Sequence, residues 1–415
     1  MKPTREKPNQ RGGIEMRKLL VLFLAVMVIL SYSGLTYAAG STTNVQQTGN
    51  DNEAETDQTG DNQTTTINQD GNKNKADVEQ ITDNGGEQTA DVDQYGGNKN
   101  TVFIKQEQIG GGDTSLNSAV AEQNGSRNLI DQSIYAPGYN SGQHVSAYQE
   151  GNDNEIEQTM DGGYTDSLIA EQIGDSNTAT QFGSGPYVDG VVFQEGDDNE
   201  ATQILGKKSG YMGPMDIVQE GDDNVASQDF AGAGSWQWNH GDIHQAGNNN
   251  EAHQYVRGTN NDLYVYQDGN NNFVDQEVIG DFNLSKVEQL GNKNNFSSKQ
   301  DGDNNVVTGL DGDCNDLGDF AANAVQQNGS KIEIIQGGNN NKLGFMQYGS
   351  NNVIAAARPN GTFNKNKPAK QLNGDNEAKI FQNGSGNKVG LYQAGGKTVE
   401  VTQCGDGNKA AVYQD

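Results

Sequence analysis

The chain has 415 residues, only 32% of them hydrophobic, with 55 glycines, two cysteines and a formal net charge of −29. So acidic a surface argues against nucleic acid as a partner, because phosphate backbones are held by basic patches. By composition the chain resembles a disordered one, and only the spacing of its residues overrules that reading.

Residues 1–38 are the first predicted element. Arg17-Lys18 precedes an apolar run from Leu19 to Leu30, and small residues follow up to Ala38. This is the pattern of a secretory signal peptide. The run is about twelve residues, short of the roughly twenty needed to cross a bilayer, so the mature protein is not expected to be membrane-embedded. Removal of residues 1–38 takes away six of 27 Lys/Arg and two of 56 Asp/Glu, a net charge of −33.

Residues 39–415 form the second predicted element, a single repeat domain. An eleven-residue unit, Asn-x-Φ-x-Φ-x-Gln-x-Gly-x-x with Φ small or apolar, recurs from near Ser41 to the last residue. Asn, Φ, Φ and Gln stand at alternate positions, the period of a β-strand, and Gln-x-Gly-x-x-Asn supplies the residues of a reversal. One unit is a strand plus an arc, and two units make a rung of about twenty-two residues. The fold class is therefore all-β: a β-solenoid of about sixteen rungs, roughly 75 Å long at about 4.8 Å per rung.

Inward Asn and Gln of one rung lie over the same residue types in the next, so amide ladders are expected along the axis. The ladder residues are Asn52, Gln58, Asn74 and Gln80 near the start, then Asn239, Gln245, Asn261, Gln267, Asn283 and Gln289. Towards the end they are Asn341, Gln347, Asn376, Gln382, Asn387, Gln393, Asn408 and Gln414. Gly49, Gly60, Gly71, Gly151, Gly174, Gly196, Gly221, Gly247, Gly269, Gly291, Gly384, Gly395 and Gly405 mark the arcs. From Asn128 a second half-type appears, Asn-x-Φ-x-Gln-x-Φ, and alternates with the first through Asn272 to Gln276. The register loosens at Gly309 to Phe320 and at Pro359 to Pro368, which read as irregular rungs. Neither end carries a cap, so open edge strands are expected to template pairing with another copy of the chain.

Candidate chemical sites are sparse. Gly196 to Asn199 and Gly405 to Asn408 look like calcium turns, but a calcium β-roll repeats every nine residues and this chain every eleven. His144, His240, His244 and His253 are assigned to outward strand positions, with no helix to set a zinc pair. Asp311, Asp313, Asp316 and Asp319 are the candidates for a β-helix hydrolase or lyase, and sit where solvated surface is the simpler account. Thr64 to Thr66 occur together once, so no flat threonine face for ice or lattice binding arises. Cys314 and Cys404 lie about four rungs apart, roughly 19 Å, beyond the roughly 7 Å a disulfide allows, and are expected to be unpaired surface thiols. No catalytic residue, cofactor or specific metal site is expected.

The spacing Ser-x5-Gln-x-Gly-x2-Asn-x-Ala-x3-Gln is met by Ser41, Gln47, Gly49, Asn52, Ala54 and Gln58, and again by Ser330, Gln336, Gly338, Asn341 and Gln347 with Leu343 in place of Ala. This resembles the curlin repeat of curli, the bacterial functional amyloid, with far more repeats than familiar curlins carry. The resemblance implies a non-enzymatic, extracellular subunit of biofilm fibres that polymerises head to tail with itself. It also implies export through a dedicated outer-membrane secretion pore, with chaperones and a nucleator subunit as partners. The non-repetitive segment that directs familiar curlins to their pore is not evident between Ala39 and Ser41.

Overall fold

The structure is a computed structural model, and the residues it describes are 40–83, 86–109, 116–137, 142–162, 166–185, 187–206, 212–231, 238–310, 320–321, 324–360 and 362–415. The signal-peptide segment 1–38 lies outside them, as do Asp311, Asp313, Asp316, Asp319 and Cys314. Ser41–Asp415 forms one compact unit.

That unit is a two-faced parallel β-solenoid. Strands alternate between the faces along the chain, and each pairs with the strand one rung away on its own face. On face A the pairing begins at Thr42–Thr48 and Gln63–Asn72, and on face B at Glu53–Thr59 and Lys75–Thr82. Alternation of polar and apolar residues gives the strands their buried-out-buried pattern, as in Lys75–Thr82 and Ser167–Ile173.

One face-B column shows the register through the whole unit. It runs Ala54, Ala76, Val102, Ile130, Ile156, Ala179, Ala201, Ala226, Ala252, Val274, Phe296, Ile332, Ile354, Val389 and Ala410. The described residues therefore make fifteen layers, slightly fewer than the sixteen expected, because insertions lengthen some rungs. At about 4.8 Å per step the stack is roughly 70 Å long.

The two loose stretches are split rungs. Val306–Leu310 covers one end of Leu284–Leu290 and Ala324–Gln327 the other, so a single face-A layer is made from two pieces with an insertion between them. On face B, Val353–Ala357 and Ala369–Leu372 share a layer in the same way, and the insertion folds back through Ala356–Asn364 and Ala357–Phe363 pairs. A stacked core tolerates such excursions because they leave the columns above and below in register.

The core between the faces is narrow. Small and β-branched residues such as Val78, Val92 and Ile104 fill most layers, and Phe230, Phe296 and Phe345 thicken the later ones. Phe296 and Phe345 stack with centroids 5.8 Å apart. Burial of these side chains is worth about 2 kcal/mol each, which stabilises the stack while the amides fix its register.

Candidate functional site

The glutamines of face A form one long ladder. From Gln47 to Gln326, each Nε2 donates to the Oε1 of the glutamine one layer on, at 2.6–3.0 Å. Gln245, Gln267 and Gln289 stand in its middle, fully buried. The ladder breaks once, beside the split rung. Gln347 has no donor to its Oε1, then continues to Gln382 at 2.5 Å and through it to Gln403 at 2.8 Å.

Face B carries three shorter ladders. Gln58 donates to Gln80 and Gln80 to Gln106, at 2.9 and 2.7 Å. Then the glutamine changes position on the strand, so Gln106 faces Ile134 and Gln132 faces Ile104. A second ladder runs from Gln132 to Gln276, where the position changes back and Gln300 faces Val278. The third runs Gln300, Gln336, Gln371, Gln393, Gln414. Both changes leave an orphan, because Oε1 of Gln132 and of Gln300 is buried without a donor. The bottom of the second ladder is met across the core, where Gln276 Nε2 donates to Ser285 Oγ at 2.9 Å.

The asparagine columns are joined differently from simple amide ladders. From Asn52 through Asn74 to Asn294, each Oδ1 accepts the main-chain N–H of the next asparagine at 2.9–3.1 Å. Nδ2 caps the neighbouring arc, as from Asn177 to the Gly196 carbonyl at 2.7 Å. Asn239, Asn261, Asn283, Asn305, Asn341 and Asn376 repeat this on face A, and Asn352, Asn387 and Asn408 close face B. A side-chain amide contact is added between some of them, such as Asn261 and Asn239 at 3.2 Å. Each asparagine thus ties a strand start to the arc beside it, a role that alternation alone does not reveal.

Most of the arc glycines are crowded by the next rung. A Cβ on Gly49, Gly60, Gly71, Gly151, Gly174, Gly196, Gly221, Gly247, Gly269 or Gly384 would lie 1.8–2.4 Å from a main-chain oxygen of the neighbouring arc, and on Gly291 it would meet Asn328 Oδ1 at 2.2 Å. Gly395 and Gly405 have open space, and share with the others only a positive φ, +74° and +95°.

Two side chains depart from the sequence expectations, and a third was not singled out by them. Cys404 is disulfide-bonded and so is not an unpaired surface thiol, while Cys314 lies outside the described residues. His144 keeps its outward strand position but is only part-exposed. Both ring nitrogens are buried without a partner, and burial lowers its pKa to about 4. His240 instead bonds Asp262 at 3.0 Å, which raises its pKa, and His253 bonds Ser227 and Glu251 at 2.6 and 2.7 Å.

The third is Asp166, which occupies the column that asparagine fills in later face-A rungs. Its Oδ1 accepts the Val188 N–H at 2.8 Å, as an asparagine would, but the buried Oδ2 has no partner. Burial pushes its carboxyl up to about 8, although the main-chain N–H groups of Val188 and Tyr187 pull it down. Asp91 is likewise pushed up to about 6, by burial and then by Asp93 and Glu122. The unfolded chain releases these protons near pH 3.8, so between that pH and about 6 to 8 the fold holds protons that the unfolded state has lost. Stability therefore falls as pH rises through that window and levels off above it. Asp166→Asn is expected to stabilise the chain at pH 8 by on the order of 3 kcal/mol and to flatten the pH dependence of denaturant midpoints above pH 4; an unchanged profile would dismiss this account.

The ends of the stack are open in the structure. Among the described residues, Thr42–Thr48 pairs only with Gln63–Asn72 and is exposed along its length, and Lys409–Gln414 pairs only with Lys388–Ala394. Glu53–Thr59 and Thr398–Cys404 likewise have a single neighbour each on their faces. Among the described residues, no group of three or more His, Cys, Asp or Glu is placed to hold a metal ion. No described helix is long and apolar enough to cross a membrane.

No curated protein matches the chain. Residues 49–81 match the family model described as the curlin associated repeat. The match spans the unit in which Asn52, Gln58, Asn74 and Gln80 set the ladder spacing, and the same pairing continues to Gln414. The chain is thus a β-solenoid that carries the curlin-associated repeat.

Proposed function

We propose that this chain is the structural subunit of a curli-like extracellular fibre, joined end to end through the open rungs at the two ends of the stack. The observation that carries the reading is the state of those rungs. Among the described residues, Thr42–Thr48 and Lys409–Gln414 each present one unpaired strand edge, and each ends a glutamine ladder that another rung can extend. A second copy would add main-chain and side-chain amide bonds in the geometry already repeated through the stack. Residues 1–38 then serve as the export signal, and a secretion pore, chaperones and a nucleator are the partners such a system requires. No step of this function needs an active site or a cofactor.

Electron microscopy and fibre diffraction of the purified chain test the reading. Unbranched fibres with an axial reflection at about 4.8 Å are the expected result; monomers that stay soluble at high concentration reject it. Acidic side chains stack along the rod, as in Glu55 over Asp77, Asp57 over Glu79 and Asp93 over Glu122. Fibre formation followed by thioflavin fluorescence is therefore expected to speed up near the sequence pI of about 4.3 and in raised salt. Rates insensitive to both would remove electrostatic repulsion as the brake.

A further inference from the structure

Charge is not spread evenly along the rod. From Lys331 to Asp415 the chain carries ten Lys/Arg against six Asp/Glu, a local balance of +4 in a protein of net −29. On face B the excess reaches the last layers, where Lys388 and Lys409 stand in one outward column. The first face-B strand is the opposite. Glu53, Glu55 and Asp57 take three of the four outward positions of Glu53–Thr59, and all three are exposed.

The split face-B rung adds an arm to the basic end. Its insertion folds back through Phe363–Asn364 and is tied at its base, the Arg358 N–H donating to the Thr362 carbonyl at 2.9 Å and the Ala356 N–H to the Lys367 carbonyl at 2.8 Å. Phe363–Asn364 comes within 8 Å, Cα to Cα, of Lys388–Ala394 and also of Lys409–Gln414. The arm thus leaves its own layer and runs towards the last one. Small residues make the room. The outward column that holds Glu55, Asp77 and Phe103 in the first layers holds Ala355, Gly390 and Ala411 in the last, and a Cβ on Gly390 would sit 2.8 Å from the Ala356 carbonyl oxygen. Arg358, Lys365 and Lys367 are exposed on the arm. Among the described residues, neither they nor Lys388 and Lys409 form an ion pair, whereas Lys331 is engaged by Glu333.

We propose, on the end-to-end reading given above, that this arm and the last face-B strand form a basic clasp for the acidic first rung of a second copy, and that the clasp fixes the polarity and register of the joint. Continuing the register of Lys409–Gln414 by one layer sets Glu53 of the next copy against Lys409, Ala54 against Ala410, Glu55 against Ala411 and Gln58 against Gln414. On face A the same step sets Gln47 against Gln403. Both glutamine ladders then continue across the joint. A lysine stem carries its ammonium roughly 6 Å from the Cα, more than the roughly 4.8 Å of one layer, so arm residues beside the last rung reach the next. The same charges work against reversed joints. Head to head, Glu53, Glu55 and Asp57 would meet their own kind, and tail to tail the lysines would.

Two measurements on the purified chain test the clasp. In fibres treated with a carbodiimide, which joins an amine to a carboxylate in contact with it, peptides linking Lys409 to Glu53, and Lys365 or Lys367 to Glu55 or Asp57, are expected. The first and last rungs of one molecule stand roughly 70 Å apart, so such links form only between copies. In elongation from unaltered seeds, the double variant Lys365→Gln, Lys367→Gln should be slowed about tenfold. Lys99→Gln with Lys293→Gln removes the same charge from exposed arcs far from both ends and should elongate like the unaltered chain. Absence of the links, or elongation of the arm variant equal to that of this control, overturns the clasp and leaves end-to-end assembly standing. An unaltered chain that forms no fibres overturns end-to-end assembly and the clasp together. An arm variant that elongates normally but loses retention on heparin assigns the patch to an anionic polymer and likewise overturns the clasp.

Discussion

Gly174→Ala is expected to be among the most damaging single substitutions in the chain, lowering stability by about 3 kcal/mol or more. The added Cβ would sit 2.1 Å from the Gly196 carbonyl oxygen and 2.7 Å from its carbonyl carbon, where no side chain can swing aside. Two further constraints hold the arc in place. The Gly174 N–H donates to the Glu150 carbonyl at 2.9 Å, and its own carbonyl accepts Asn154 Nδ2 at 2.7 Å. Relief of the clash means moving one arc away from the next, which would break these bonds and open the column below. Its φ of +125° adds a conformational cost for any residue with a Cβ. Gly395→Ala supplies the comparison. That glycine also has positive φ, but nothing lies within 4 Å of the place its Cβ would take, so only the backbone preference of about 1 kcal/mol is lost. Denaturant midpoints of the two variants should therefore separate clearly; equal losses would show that close stacking of the arcs is not what selects glycine.

The repeat makes much of this architecture readable from residues alone. Asn, Φ, Φ and Gln at alternate positions specify a strand whatever surrounds them, and glycine at a fixed offset specifies the arc. Pairing within each face then follows from the two-unit rung. What the repeat cannot show is how one rung meets the next at its exceptions. The second half-type is visible in the sequence from Asn128 onward, but the orphan oxygens on Gln132 and Gln300 arise only when Gln106 and Gln132, or Gln276 and Gln300, are set in adjacent layers. Asp166 is not singled out by the repeat, because its place in the asparagine column is hidden by the insertions before it. The Cys404 disulfide is likewise not legible in the repeat, whose spacing measures only the distance between rungs.

Gln267→Ala is the second substitution expected to have a large effect, about 3 to 5 kcal/mol, while its exposed neighbour Asp268→Ala should cost little. Gln267 is fully buried in the middle of the long face-A ladder. Its Nε2 donates to Gln289 Oε1 at 2.9 Å and to the Glu251 carbonyl at 3.2 Å, and its Oε1 accepts from Gln245 Nε2 at 2.9 Å. Truncation leaves a cavity and removes a partner from each of these groups. Gln245 Nε2 keeps the Val225 carbonyl at 3.0 Å, so the Gln289 oxygen carries most of the loss, at about 1 to 3 kcal/mol for a buried unpaired acceptor. The cavity contributes a similar amount. Gln132→Ala should cost about 1 kcal/mol less, because the Oε1 it removes has no donor to begin with. A stack in which each rung touches only its neighbours need not unfold as one unit, so hydrogen exchange is the sharper measurement. Protection in Gln267→Ala should fall most in Asn239–Ala246, Asp262–Asp268 and Leu284–Leu290 and fade within a few layers on either side. Uniform loss from end to end would mean that the ladder acts on the whole rod at once, and no loss at all would reduce the amide columns to a by-product of stacking.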